Sequence, residues 1–136
     1  VKPHIGLTRD PYEVMILLAA FASGWINSFT NTTPGTIAAL LPHWFQVAWS
    51  LLLAIGATVA LVGIARRKRP GGGLSLEAAG VIATATALSV YAGGIISVQG
   101  GDLAKAGITA AFTCIAIAIA GVWRVLQIRR YLEGPK

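Results

Sequence analysis

Few side chains in this sequence could do chemistry: five acids, two histidines and one cysteine. Cys114 stands alone within a long apolar stretch, so it can form no disulfide inside the chain, and a thiol among hydrocarbon side chains packs rather than reacts. His4 and His43 are far apart and lack cysteine or acidic neighbours at metal-ligand spacing. The run Gly71-Gly72-Gly73 is not followed by the Lys-Ser/Thr pair of a phosphate-binding loop, and Gly93-Gly94 lies inside another apolar stretch. No catalytic residue, metal site or cofactor is expected, and the chain does not read as an enzyme. Transport driven by protons or sodium requires an ionisable group near mid-membrane. Asp10, Glu13, Glu77, Asp102 and Glu133 all fall at the ends of apolar stretches, which argues against a small multidrug-type antiporter. No stretch carries the spaced arginines of a voltage sensor.

One charged pair stands out. Arg124 lies five residues before Arg129, about 7 Å deeper along a helix, where a guanidinium must snorkel or meet an acid. Glu77, in the first turn of the third apolar stretch, reaches a similar depth if the third and fourth stretches run antiparallel. An ion pair at the membrane edge is expected, worth about 1 kcal/mol or less if water reaches it. The alternative is that Glu77 only caps its helix while Arg124 binds lipid phosphate. Glu13 reads as part of a helix-opening cap, with Asp10 as N-cap and Pro11 at the first helical position.

These residues are carried on elements that composition identifies. Of 136 residues, 55% are hydrophobic and 12% charged, with a mean hydropathy of +0.70, more apolar than a soluble domain usually hides. Four stretches, at 11–29, 43–65, 75–98 and 104–128, are each close to the ~20 residues that cross a hydrocarbon core. The predicted fold is all-α: a single-domain integral membrane four-helix bundle with short loops. A short helix over 34–41, capped by Thr33 and opened by Pro34, is expected in the outer interface. Pro70 to Gly73 reads as a linker, and Ser75 as the N-cap of the third span. Val1, with Met15 the only methionine, suits a GUG start codon and so a bacterial or phage gene. The first stretch, preceded by Arg9 and Asp10 and without a cleavage site, reads as a retained span rather than a signal peptide.

The net charge of +6 would suggest nucleic acid in a soluble protein. Here its placement gives another reading. Lys2 and Arg9, then Arg66, Arg67, Lys68 and Arg69, then Arg124, Arg129, Arg130 and Lys136 all belong to one side, leaving only Lys105 on the other. The positive-inside rule puts both termini and the 66–69 loop in the cytoplasm of a bacterial cell, with no nucleic-acid partner. Arg66, Arg67, Lys68, Arg69, Arg129 and Arg130 are candidates for binding anionic lipid headgroups. Trp25, Phe29, Trp44, Phe45 and Trp49 form an expected outer aromatic belt, and Tyr12, Trp123 and Tyr131 an inner one.

Small residues recur at four-residue spacing: Gly56 and Ala60 on the second span, Ala79, Ala83 and Ala87 on the third, Gly107 and Ala111 on the fourth. They allow close backbone approach in lipid, within one bundle or between copies in a homo-oligomer. Thr84, Thr86, Ser89 and Thr113 are expected to add interhelical hydrogen bonds.

Five segments, Asp10-Pro11-Tyr12-Glu13, Leu41-Pro42-His43-Trp44, Arg66-Arg67-Lys68-Arg69, Leu76-Glu77-Ala78-Ala79-Gly80 and Trp123-Arg124-Val125-Leu126-Gln127-Ile128-Arg129-Arg130, give the chain a resemblance along nearly its whole length. It resembles the small four-helix, holin-like membrane proteins of actinobacterial phages. That resemblance implies a protein that accumulates in the inner membrane and at a set time assembles into lesions that release or activate the phage lysis enzyme. The chain is longer than many holins and has more spans. The alternative is a non-lytic phage or bacterial membrane protein that excludes superinfection or scaffolds a partner, with a small transporter subunit third.

Overall fold

The computed structural model describes residues 11–32, 34–66, 73–99 and 106–133. They form five helices: α1 (Pro11–Thr30), α2 (Gly35–Leu40), α3 (His43–Arg66), α4 (Gly73–Gln99) and α5 (Ala106–Glu133). No strand occurs among the described residues. α1, α3, α4 and α5 are long and apolar enough to cross a membrane, the pattern of a multi-pass membrane protein.

Each long helix runs antiparallel to the one it packs on. Ser28 and Leu17 of α1 meet Ser50 and Ala60 of α3, Trp49 of α3 meets Ala87 of α4, and Arg124 of α5 meets Glu77 of α4. α3 and α4 form the centre, with α1 against α3 and α5 against α4. The end that holds Pro11, Arg66, Gly73 and Glu133 is called the basic end below.

Local chemistry explains where the helices start and stop. Pro11 opens α1, where its missing N–H is no loss, and Glu13 in the first turn complements the helix dipole. α1 stops before Asn31, whose φ of 50° is a left-handed conformation that asparagine tolerates better than most residues. Pro34 occupies the cap position of α2 rather than its first turn; its carbonyl accepts from Ile37 N and Ala38 N. Thr33, expected as that cap, lies outside the described residues, as does Asp10. Pro42 caps α3 by accepting from Phe45 N and Gln46 N. The short helix expected over 34–41 forms as α2, with Ile37 fully buried and the element packed on α4 and α3.

Glycine sets the central contact. A Cβ built on Gly80 would fall 2.6 Å from both Ala60 Cα and Gly56 O, and one on Gly63 would fall 2.8 Å from Glu77 Cα. The α3 and α4 backbones therefore touch, as small residues permit in lipid. This approach begins at Gly73, itself buried, so α4 starts before Ser75. Ser75 is an exposed residue inside the first turn, not the N-cap.

The seam corrects the four-residue pattern. Buried positions on α4 run Gly73, Glu77, Gly80, Thr84 and Ala87, alternating steps of four and three, as a 3.6-residue helix requires. A constant step of four drifts about 40° around the helix each time, which carries Ala79 to the exposed side while Ala83 is half-buried and Ala87 fully buried. Gly56, Ala60 and Ala111 are buried; Gly107 is in the first turn of α5, at a position whose surroundings lie outside the described residues. Gly24, Gly63 and Gly80, none of them among the expected packing residues, make the closest approaches.

The hydroxyls also behave differently from the expectation. Thr84, Thr86, Ser89 and Thr113 donate to the carbonyls of Gly80, Ile82, Ala85 and Thr109 in their own helices. Folding back four residues is the cheapest partner for a hydroxyl in an apolar medium. Interhelical hydrogen bonds come from other side chains, among them Trp49 Nε1 to Ala87 O (2.8 Å) and Trp25 Nε1 to Thr58 Oγ1 (3.2 Å). Trp49 is thus a core residue and not part of a belt, whereas Trp44, Phe29, Tyr12 and Trp123 are exposed as belt residues would be. Phe45 packs against the core, and the Tyr131 side chain lies outside the described residues.

Candidate functional site

Three helices bring charged side chains to one point at the basic end. α4 supplies Glu77, whose side chain is 0% exposed; α5 supplies Arg124, 12% exposed; α1 supplies Glu13, 24% exposed. Arg124 Nε donates to Glu77 Oε1 at 3.4 Å and forms an ion pair with Glu13 Oε2 at 3.5 Å, so one nitrogen faces two carboxylates. Its Nη1 reaches Gln127 Oε1 at 3.3 Å, while Nη2 is buried with no hydrogen-bond partner among the described residues.

The surroundings explain the arrangement. Glu77 is one full turn into α4, because the helix begins at Gly73, and is too far along to cap it. Its backbone lies against Gly63, so the carboxylate cannot be displaced toward α3 without moving the helix. Leu17, Ile64 and Val81 are buried beside it, with Val14 and Val125 packed against them. This apolar layer, drawn from all four long helices, closes the Glu77 side of the pair, which is 0% exposed, while Arg124 keeps 12% exposure. The estimate of about 1 kcal/mol for a hydrated pair therefore does not apply. Removing one partner of a buried ion pair costs about 3–5 kcal/mol, because the other charge is left in a medium of low polarity.

Glu13 is the member that sequence reasoning missed. Its position two residues after Pro11 matches a capping pattern so well that a tertiary role is hidden. The available signal was its spacing: Glu13, Leu17, Ala20 and Gly24 recur at intervals of four, three and four along the α1 face that meets α3.

The remaining candidates are spread over the same end. Arg66 is exposed at the last turn of α3, and Arg130 at the last turns of α5. Arg129 is also exposed and bonds Glu133 at 2.8 Å, an i,i+4 pair on the surface. Arg67, Lys68 and Arg69 lie outside the described residues. Among the described residues no three His, Cys, Asp or Glu side chains are grouped to hold a metal ion. Cys114 is half-buried beside Ala92, Ile95 and Ala111. Chemically the hub can do two things: lock three helices at one end, and hold charge in an apolar layer.

The chain matches no protein-family model, no curated protein and no solved structure.

Proposed function

We propose that the chain is a holin-like membrane protein that oligomerises in the bacterial cytoplasmic membrane and forms lesions for host lysis. The observation that supports this reading is the uneven burial of the four spans. Half of the apolar window of α3 is buried, but only 17% of that of α1 and 11% of that of α5. Met15, Ile26 and Phe29 on one flank and Phe112, Ile119 and Trp123 on the other are exposed. Two flanks of this kind can exchange lipid for copies of the same chain while the α3–α4 centre stays intact, which is the geometry a growing assembly needs. The basic end faces the cytoplasm, by the positive-inside rule, with Arg66 and Arg130 placed to meet anionic headgroups.

One observation favours a small transporter subunit instead. Glu77 is fully buried in a span, and buried ionisable groups in spans commonly serve ion movement.

Induced expression in a bacterial host, with membrane potential and leakage of a cytoplasmic enzyme followed together, separates the two. Abrupt depolarisation with enzyme release after a fixed delay is the expected outcome. Steady growth at high membrane levels overturns the lesion reading, and proton flux that depends on Glu77 without enzyme release selects the transporter.

A further inference from the structure

At the end of the bundle opposite the hub, α1 and α3 part around a cleft lined by Asn27, Ser28 and Asn31 on one wall and His43, Gln46 and Ser50 on the other. Steps of three and four place each set on one helix face. Among the described residues the walls offer amides, hydroxyls, one imidazole and the Val47 side chain, and no charged group. Ser50 is seven residues from His43, so the cleft extends about 10 Å along α3. Its floor is closed: Ser28 Oγ donates to Gly24 O (2.8 Å) and lies 3.4 Å from Ser50 Oγ, which donates to Val47 O (3.0 Å). Beneath them a Cβ on Gly24 would fall 2.6 Å from Ala54 N, so the two helices touch and leave no room for water. Gln46 Nε2 donates to Leu41 O at 2.8 Å and so ties one wall to the turn after α2.

The other wall groups are less engaged. The side chains of Asn27, Asn31 and His43 make no hydrogen bond to another described residue. A carboxamide brings two donors and an acceptor; Asn31 and His43 are exposed at the mouth, while Asn27, part-buried a turn deeper, needs partners within the cleft. A polar site lined on two sides by such groups meets the condition for bound water, which needs two to four polar partners. We propose that this cleft is a water-binding site, open at the end of the bundle where α1 terminates, in which water reaches down to the Ser28–Ser50 floor. The inference does not depend on the lesion reading or on which side of the membrane the cleft faces.

Cysteine accessibility in the full-length protein tests it, in a Cys114→Ser background reconstituted in vesicles. Ser28→Cys probes the floor, Asn27→Cys gives a second probe on the same wall, His43→Cys marks the mouth, and Ile26→Cys is a lipid-facing control beside them. Methanethiosulfonate reagents that cannot cross the membrane react with the thiolate, which forms in water and not in hydrocarbon. Ser28→Cys and Asn27→Cys should react from the same side as His43→Cys, at least about tenfold faster than Ile26→Cys. Adding Asn27→Leu to Ser28→Cys should lower its rate toward that of the control. Cationic and anionic reagents, each scaled to its reaction with a free thiol, should agree within about threefold, because the walls carry no charge. Floor and wall cysteines as slow as Ile26→Cys would overturn the site, and a charge preference above about tenfold would overturn its uncharged character.

Discussion

Arg124 is where a single side chain decides most. Its Nε serves Glu77 and Glu13 together, so removal of each acid has a different effect. Glu77→Gln, at the fully buried position, should lower stability by about 3 kcal/mol or more. Glu13→Gln, at a side chain 24% exposed, should cost about 1 kcal/mol or less, since solvent screens it. Reversible unfolding in mixed micelles reads both. A charge swap sharpens the test: combining Glu77→Arg with Arg124→Glu restores one pair but sets a new carboxylate beside Glu13, so recovery should be partial and should rise when Glu13→Gln is added. Full recovery without that third change would remove Glu13 from the hub. The common depth of Glu77 and Arg124 can be read from residue counts alone, because antiparallel neighbours share a register. Burial of the pair cannot, because it depends on where α4 begins and on the Leu17, Ile64 and Val81 layer gathered from three helices.

Between elements, the α3–α4 contact is set by absent side chains rather than by present ones. Gly80 lies on the backbone of Ala60, while Ala79, its neighbour in sequence, is exposed. Gly80→Leu should force the helices apart and destabilise by at least the 1–3 kcal/mol typical of overpacking. Ala79→Leu should change stability by less than about 0.5 kcal/mol, as a residue away from any packed contact does. Thermal unfolding of the two variants in one detergent makes the comparison; equal losses would contradict the packing described. The existence of four long helices is legible because runs near twenty apolar residues admit little else. The contact face is harder to read, because these helices are apolar nearly all round and periodicity fades. Small residues at i and i+4 then mark a neighbourhood, not the seam. Ser75 shows the same difficulty at a helix end: a good capping residue lost to a tertiary contact that begins at Gly73.

Taken as one body, the chain is polarised. Among the described residues Arg66, Arg124, Arg129 and Arg130 all belong to one half of the bundle, whereas Asn31, His43 and Gln46 occupy the other. If positive-inside holds, Glu133→Cys should be protected from an impermeant thiol reagent applied to intact cells, and Ala39→Cys, exposed on α2, should be labelled. The reverse pattern would invert the molecule and move the basic end outside. The hub also has a meaning in time. Synthesis runs from Glu13 through Glu77 to Arg124, and Arg124 is made 47 residues after Glu77. Until Arg124 is made, the carboxylates of Glu13 and Glu77 exist without the guanidinium that joins them. The α3–α4 hairpin can close on its glycines at that stage, but the three-helix junction cannot. Closure of the junction thereby waits on synthesis of α5, the helix whose Arg124 reaches back to Glu13 of α1.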